Sequence, residues 1–182
     1  MDSFVGEDGE VRCGWCANDS LYIEYHDQEW GRPVKGDDAI FERISLEGFQ
    51  AGLNWLMILK KRDYLRESFR YFKISEVRKM SEEHIESLMS DPGIIRNRRK
   101  ITSVIENAKV IHDGAIPISE LVWSFRPSLA NTDYSRAVSQ ESEQLSKELK
   151  KLGLGFVGPT TMYAMMQSIG MVNDHHPDCY LK

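Results

Sequence analysis

The chain has few residues that could cross-link it and no segment that would hold it in a membrane. Only three of its 182 residues are cysteine, an odd number that argues against a disulfide framework and fits a reducing compartment. No apolar run approaches the length that spans a bilayer. The opening stretch, MDSFVGEDGE, is acidic and lacks the basic and apolar regions of a signal peptide. These absences predict a cytoplasmic protein that does not enter a membrane.

The chain also lacks an excess of positive charge. Its formal net charge of −5 argues against a uniformly basic nucleic-acid binder. A local basic face is still possible, because charges in physiological salt are screened beyond about 8 Å. The hydrophobic content of 41% and the charged content of 28% are ordinary for one globular domain of this length.

Alternating strand patterns with hairpin turns are missing too, and the predicted fold class is all-α. Asp37 is predicted to cap a helix that stops at Gly52, and Asn54 and Ser81 to cap the next two. Further helices are predicted to end near Gly114 and Gly153, and the last one to open at Pro159. Residues 1–11 are predicted to form a flexible extension, and 114–140 is the least regular connection.

The residues able to bind a metal lie near the two ends of the chain. Cys13 and His26 are near the start, whereas His175 and Cys179, one helical turn apart, are near the finish. The second spacing suits tetrahedral zinc, and an ion shared by both pairs would tie the two ends together. Two alternatives are open at this point. Cys16 could pair with Cys13, or the cysteines and histidines could be scattered residues with no common ligand.

The segment between Leu149 and Thr161 contains a glycine-rich turn between two predicted helices. Gly155 and Gly158 are expected to leave backbone amides uncovered, and Pro159 presets the first turn of the following helix. Free amides at a helix N-terminus form a natural phosphate site. A plain corner between two helices is the alternative. A run of basic residues at 96–100 weakly favours DNA as the partner.

Aromatic residues concentrate around one carboxylate in two segments, residues 13–30 and 46–55. Aromatic side chains can sandwich a base, and Glu47 lies in an apolar stretch where burial would be costly without a partner. Alternatively, Glu47 could face solvent, and Trp15, Trp30 and Trp55 could be ordinary core residues.

Together these segments resemble the 3-methyladenine DNA glycosylase I family, within the helix-hairpin-helix glycosylase superfamily. The resemblance runs in family order over roughly residues 12–180. The matching stretches are Arg12-Cys-Gly-Trp15, Leu21-Tyr-Ile-x-Tyr25-His-Asp-x-Glu-Trp-Gly31, Leu46-Glu-Gly-x-Gln-Ala-Gly-Leu-x-Trp55, Gly93-Ile-Ile-Arg96, Val122-Trp-Ser-Phe125, Phe156-Val-Gly158 and Val172-Asn-Asp-His175.

The resemblance implies a role for each matching residue. Glu47 would recognise the base, and Leu53 with Gly52 would fill the gap left by an extruded nucleotide. The implied walls of the base pocket are Tyr22, Tyr25, Trp55 and Trp15. The implied contacts to the DNA backbone are Gly155, Gly158, Thr160 and Thr161. The implied ligands of one structural Zn²⁺ are Cys13, His26, His175 and Cys179, although Cys16 and His176 are possible substitutes.

The resemblance also implies a fold and an activity. A single all-α domain is expected over residues 12–182, with the helix-hairpin-helix at about 142–170 and zinc joining its ends. The implied protein is a monomer that hydrolyses the N-glycosidic bond of 3-methyladenine in double-stranded DNA. The predicted helix 159–169 contains no lysine for a Schiff base, so strand cleavage is not expected. The alternatives are a non-catalytic zinc-stabilised DNA-binding module and a zinc hydrolase.

Overall fold

The computed structural model describes residues 2–17, 19–128 and 136–182, and these are predominantly helical. The helices are α1 Ser20–Gln28, α2 Asp37–Gln50, α3 Trp55–Ser68, α4 Ile74–Val77, α5 Glu82–Ser90, α6 Arg98–Asp113, α7 Ile118–Trp123, α8 Gln140–Lys151 and α9 Pro159–Ser168. Short helical turns lie at Gly14–Cys16 and Arg70–Phe72. The predicted irregular connection, 114–140, contains α7 and lies partly outside the described residues.

Several predicted helix ends are confirmed by their local hydrogen bonds. The Asn54 side chain accepts a hydrogen bond from the Met57 amide at 2.8 Å, and Ser81 caps α5. Asp37 was expected to cap α2 but is its first residue, with Gly36 at the cap. The Asp37 carboxylate instead accepts a hydrogen bond from the Ser119 amide at 2.8 Å, which ties the start of α7 to α2.

The N-terminal residues differ from the predicted flexible extension. Strand β1, Ser3–Val5, pairs antiparallel with strand β2, Val11–Cys13. The guanidinium of Arg12 joins this hairpin to α1, because it bonds Asp8 in the turn at 2.6 Å and Asp27 at 2.8 Å. The pattern was missed because each strand has only three residues, too few to display an alternation.

Helix α2 lies at the centre of the fold and contacts α3, α6, α7 and α9. Its inward residues, including Phe41, Ile44 and Phe49, are almost completely buried. A helix surrounded on most sides is held by packing more firmly than by its own propensity. The packing of α2 therefore fixes the position of any polar side chain that it carries. Among the described residues, no helix combines the length and the apolar character needed to cross a membrane.

The end of α9 is fitted closely against the segment that follows α1. Gly170, with φ of +73°, lies beyond the last turn of α9. A Cβ built on Gly170 would lie 2.5 Å from the carbonyl oxygen of Gly31. Only glycine meets both requirements, a left-handed backbone and a close approach of another backbone segment.

We predict that Gly170→Ala destabilises the protein more than Gly36→Ala does. Gly36 also has a positive φ, of +95°, but a Cβ there would meet nothing within 4 Å. Strain alone should cost each variant about 1–2 kcal/mol. The clash should cost Gly170→Ala a further ~1–3 kcal/mol. Urea unfolding measures both losses, and equal losses would contradict the proposed fit.

Candidate active site and metal cluster

A pocket of about 170 Å³ opens between the N-terminal segment and helices α1, α2, α3 and α9. It is lined by Trp15, Tyr22, Tyr25, Trp30, Glu47, Gln50, Trp55, Ala164 and Gln167. All five residues expected to recognise a base are in this set, so the structure brings together side chains separated by up to 40 positions in sequence. These aromatic residues line the pocket, although Tyr25 and Trp55 are also part of the hydrophobic core.

The rings of the aromatic walls meet at steep angles. The rings of Trp15 and Tyr22 lie 4.8 Å apart at 61°, and those of Tyr25 and Trp55 lie 5.5 Å apart at 47°. Burial raises the pKa of Tyr22 to about 12 and also raises that of Tyr25, so both phenols are neutral at physiological pH. Neutral electron-rich rings suit a flat and positively charged ligand.

Glu47 is the one acidic side chain of this lining. The residue is 3% exposed, and its Oε2 atom has no hydrogen-bond partner among the described residues. Burial raises the pKa of Glu47 to about 8, while Arg43, one turn earlier on α2, acts in the opposite direction. A buried carboxyl group with an unused acceptor is costly unless a ligand completes it.

Gln167 adds a polar group from α9 that was not predicted from the sequence. Its amide nitrogen donates to Asp174 Oδ2 at 2.8 Å, and the Tyr163 hydroxyl donates to the same oxygen at 2.6 Å. One N–H of Gln167 is thereby committed, and the rest of its amide group remains available to a ligand in the pocket. Asp174 lies outside the pocket lining, where it accepts these two hydrogen bonds and holds Gln167 in place.

Three of the four predicted zinc ligands meet on the far side of the aromatic wall. The ligand atoms of Cys13, His26 and Cys179 all lie within 4.8 Å of one another, and all three residues are buried. Burial raises the pKa of the Cys13 thiol to about 12 and lowers that of His26. A divalent cation would replace the thiol protons at such a site, so the donor set fits zinc.

His175 lies beside this cluster. Its ring centroid is 5.3 Å from that of His26, and its Nδ1 atom lies 2.9 Å from Asn173 Oδ1. The Nε2 atom of His175 is buried and has no hydrogen-bond partner within the described ranges. That unused nitrogen is the one observation that favours His175 as a fourth ligand.

Cys16 does not join the group of three. Its thiol instead donates to the carbonyl oxygen of Cys13 at 3.1 Å. His176 contributes its backbone amide, which lies 3.2 Å from Cys13 Sγ, whereas its ring Nδ1 atom accepts a hydrogen bond from the Asp178 amide at 3.2 Å. The geometry thus favours the set that contains His26 over a Cys13–Cys16 pair.

Trp30, which the sequence had placed in the aromatic segment without a site role, connects the cluster to the pocket. It lines the pocket, and its ring lies 4.6 Å from that of His175 and 6.3 Å from that of His26. Trp15 does the same, at 5.4 Å from His26. A shift in either histidine would therefore displace a wall of the pocket.

Gly52 and Leu53 form an exposed turn directly after α2. Gly52 has φ of +79°, and Leu53 is 36% exposed, which is high for a large apolar side chain. The turn adjoins the pocket, since Gln50 lines it and Trp55 follows. The predicted role of these two residues beside a flipped nucleotide stays a prediction.

Residues 152–158 join α8 to α9 where the helix-hairpin-helix is predicted, and the DNA-binding role of this connection stays a prediction. One expectation about it is wrong. The amide of Gly155 is not uncovered, because it donates to Asn107 Oδ1 at 2.8 Å, while the Gly155 carbonyl accepts from Asn107 Nδ2 at 3.1 Å. Gly158 caps α9, Thr160 is exposed and Thr161 is half-buried.

The basic run at 96–100 does not form one DNA-binding face. Arg98 is paired with Glu82 and Glu86 on α5. Lys100 is buried and bonds backbone carbonyls, so it cannot reach a phosphate. Arg96 and Arg99 are exposed.

Comparison with known proteins finds similarity over nearly the whole chain. The family model for methyladenine glycosylase matches residues 15–182. The chain is 44% identical over 177 residues to DNA-3-methyladenine glycosylase 1 of Escherichia coli, covering 92% of this chain and 95% of that protein. It is similar to a crystal structure of 3-methyladenine DNA glycosylase I, with a TM-score of 0.86 and 41% identity over 93% of this chain and 98% of that one.

A further solved structure is a variant of 3-methyladenine DNA glycosylase I in complex with 3-methyladenine. It has a TM-score of 0.84 and 30% identity, covering 93% of this chain and 96% of that one.

We predict that Glu47→Gln stabilises the protein without ligand at alkaline pH. The pKa of Glu47 in the folded state, about 8, is above its ordinary value of 4.5. The stabilisation from the neutral acid is therefore complete below pH 4.5 and is lost as the pH rises through about 8. Relative to the variant, the wild type should lose roughly 2–5 kcal/mol of unfolding free energy across that window. Urea unfolding from pH 4 to 9 measures the difference, and a pH-independent difference would contradict the burial argument.

Proposed function

The chain belongs to the methyladenine glycosylase family, and we propose that it hydrolyses the N-glycosidic bond of 3-methyladenine in alkylated double-stranded DNA. The observation that carries this proposal is the buried carboxyl group of Glu47 in a pocket walled by tryptophan and tyrosine. A protein that only binds DNA has no need for such a pocket.

The pocket selects its base by charge. Methylation at N3 makes adenine a cation, and a cation gains from stacking on electron-rich rings. The same charge would lower the pKa of Glu47 and favour its ionised form, which can then accept a hydrogen bond from the exocyclic amino group. Unmodified adenine has the same amino group but no positive charge, so it gains less from stacking and does not favour the ionised form of Glu47. Trp15, Tyr22, Tyr25 and Trp55 support this role by lining the space around Glu47.

Hydrolysis needs little further help from the protein. The positive charge makes the methylated base an activated leaving group, so a strong general acid is not required. Water then attacks a sugar that resembles an oxocarbenium ion. The described residues that line the pocket include no lysine, and neither does α9. Without a Schiff-base amine, we expect a monofunctional glycosylase that leaves the strand intact.

Access to a base in a duplex requires that its nucleotide is flipped out. We infer that Leu53, raised on the turn at Gly52, occupies the gap in the stack. The hairpin would hold the backbone through Gly158, Thr160 and Thr161 at the N-terminus of α9, where the helix dipole favours phosphate. Gly155 would shape the hairpin and would not offer its amide to a phosphate, since that amide donates to Asn107.

We also propose that Cys13, His26, His175 and Cys179 hold one Zn²⁺. The three clustered ligand atoms and the unpartnered Nε2 of His175 support this set. Two thiolates and two imidazoles complete a tetrahedral site of the structural kind, which has no open position for a substrate. The ion would stabilise the fold by joining the chain ends and fixing the pocket wall behind Trp15 and Trp30.

Such an enzyme would act inside the cell, where chromosomal DNA is its substrate. The monomeric state expected from the sequence stays a prediction.

We predict that Glu47→Gln lowers the excision of 3-methyladenine by about 10- to 100-fold, because a charged hydrogen bond is replaced by a neutral one. Free base released from methylated duplex DNA is measured by chromatography. Glu24→Gln, an exposed change on α1, is the matched control and should retain full activity. Release that is equal in both variants would refute the role of Glu47. A folded wild type that releases no base would refute the enzyme.

We predict that Cys179→Ser removes zinc and lowers the melting temperature by roughly 5–15 °C, since a metal that binds only the folded state stabilises it. Cys16→Ser is the control, because Cys16 is also buried but lies outside the cluster. Elemental analysis should find zinc in the wild type and in Cys16→Ser. Loss of zinc in Cys16→Ser alone would reassign the ligand.

A further inference from the structure

Lys100 occupies a position that disfavours a cation in two ways. It lies in the first turn of α6, where the helix dipole is positive, and it is only 7% exposed. Burial accordingly lowers its pKa. Charged residues are rarely buried unless a specific partner compensates the loss of water.

The compensation comes from the backbone at the end of α2. The Lys100 ammonium donates to the carbonyl oxygen of Phe49 at 2.8 Å and to that of Ala51 at 2.6 Å. The last carbonyls of a helix have no partners inside it, and they carry the negative end of the dipole. One side chain on α6 thus binds the backbone on both sides of Gln50, where α2 ends.

The turn that follows α2 has little else to hold it. Residues 51–54 are exposed, and a Cβ on Gly52 would meet nothing within 4 Å. Besides Lys100, the Leu53 amide closes the turn by donating to the carbonyl of Gln50 at 2.6 Å, and the Asn54 side chain fixes the far end by capping α3. The turn is therefore fixed by hydrogen bonds and not by packing of its side chains.

This turn carries an apolar edge next to the pocket. Leu53 and Met57 are 36% and 39% exposed, whereas Gln50 and Trp55 on either side line the pocket. We propose that Lys100 is a positioning residue for nucleotide extrusion: its ammonium holds the turn that presents Leu53 to the duplex. This assignment deepens the glycosylase function proposed above and rests on it for the effect on DNA.

The pocket should tolerate the loss of this contact better than the turn does. Phe49 is anchored in the core at 1% exposure, and Glu47 lies earlier on the same helix. The base-recognition residues therefore keep their support when the ammonium is removed. A loosened turn would weaken work on duplex DNA while binding of the free base persists.

The test compares Lys100→Met with Lys109→Met, which removes a lysine from the same helix at a surface pair with Glu106. Three quantities are measured: single-turnover release of base from methylated duplex DNA, the affinity for free 3-methyladenine, and hydrogen exchange of the Leu53 amide. Circular dichroism verifies the fold, and Lys100→Gln is the second variant if Lys100→Met does not fold.

For Lys100→Met we expect release about tenfold slower, free-base affinity within about twofold of wild type, and faster exchange at Leu53. Lys109→Met should match the wild type in all three. Unchanged exchange at Leu53, release no slower than in Lys109→Met, or free-base binding that falls as much as release would each overturn the proposal. A wild type that releases no base would refute the proposed function, and exchange would then decide alone whether Lys100 holds the turn.

Discussion

The burial of one ionisable carboxyl group is the constraint around which this structure is arranged. Glu47 lies on the most enclosed helix of the fold, where water cannot satisfy its free oxygen. Keeping such a group in place requires a rigid support, which α2 provides through its contacts with helices on several sides. Burial of Glu47 lowers the stability of the fold, and it makes the pocket selective for a ligand that is both flat and cationic.

Different segments of the chain form the different sides of the pocket around Glu47. Trp15 and Trp30 form a wall whose rear face lies against the histidines of the metal cluster. Gln167 comes from α9 and is held by the buried carboxylate of Asp174. Because these parts come from both ends of the chain and from its middle, the pocket depends on the whole fold and not on one motif.

The residues of the site could be predicted where the chemistry is local in sequence. Glu47 and Trp55 stand in one short segment of aromatic and small residues, and that pattern indicated a pocket. Gln167 could not be predicted, since only the packing of α9 brings it to the site. The burial of Lys100 could not be predicted either, because it stands in a basic run that the sequence analysis took as weak support for DNA binding. The N-terminal hairpin could not be predicted, because strands of three residues are too short to display an alternation.

The aromatic wall has a further consequence for the optical properties of the protein. The chain contains four tryptophans, and three of them, at positions 15, 30 and 55, line the pocket. Its intrinsic emission therefore arises mainly from the place where a ligand would stack, with Trp123 as a remote background. The protein carries a built-in fluorophore for its own site, so occupancy can be followed without labelling the nucleic acid.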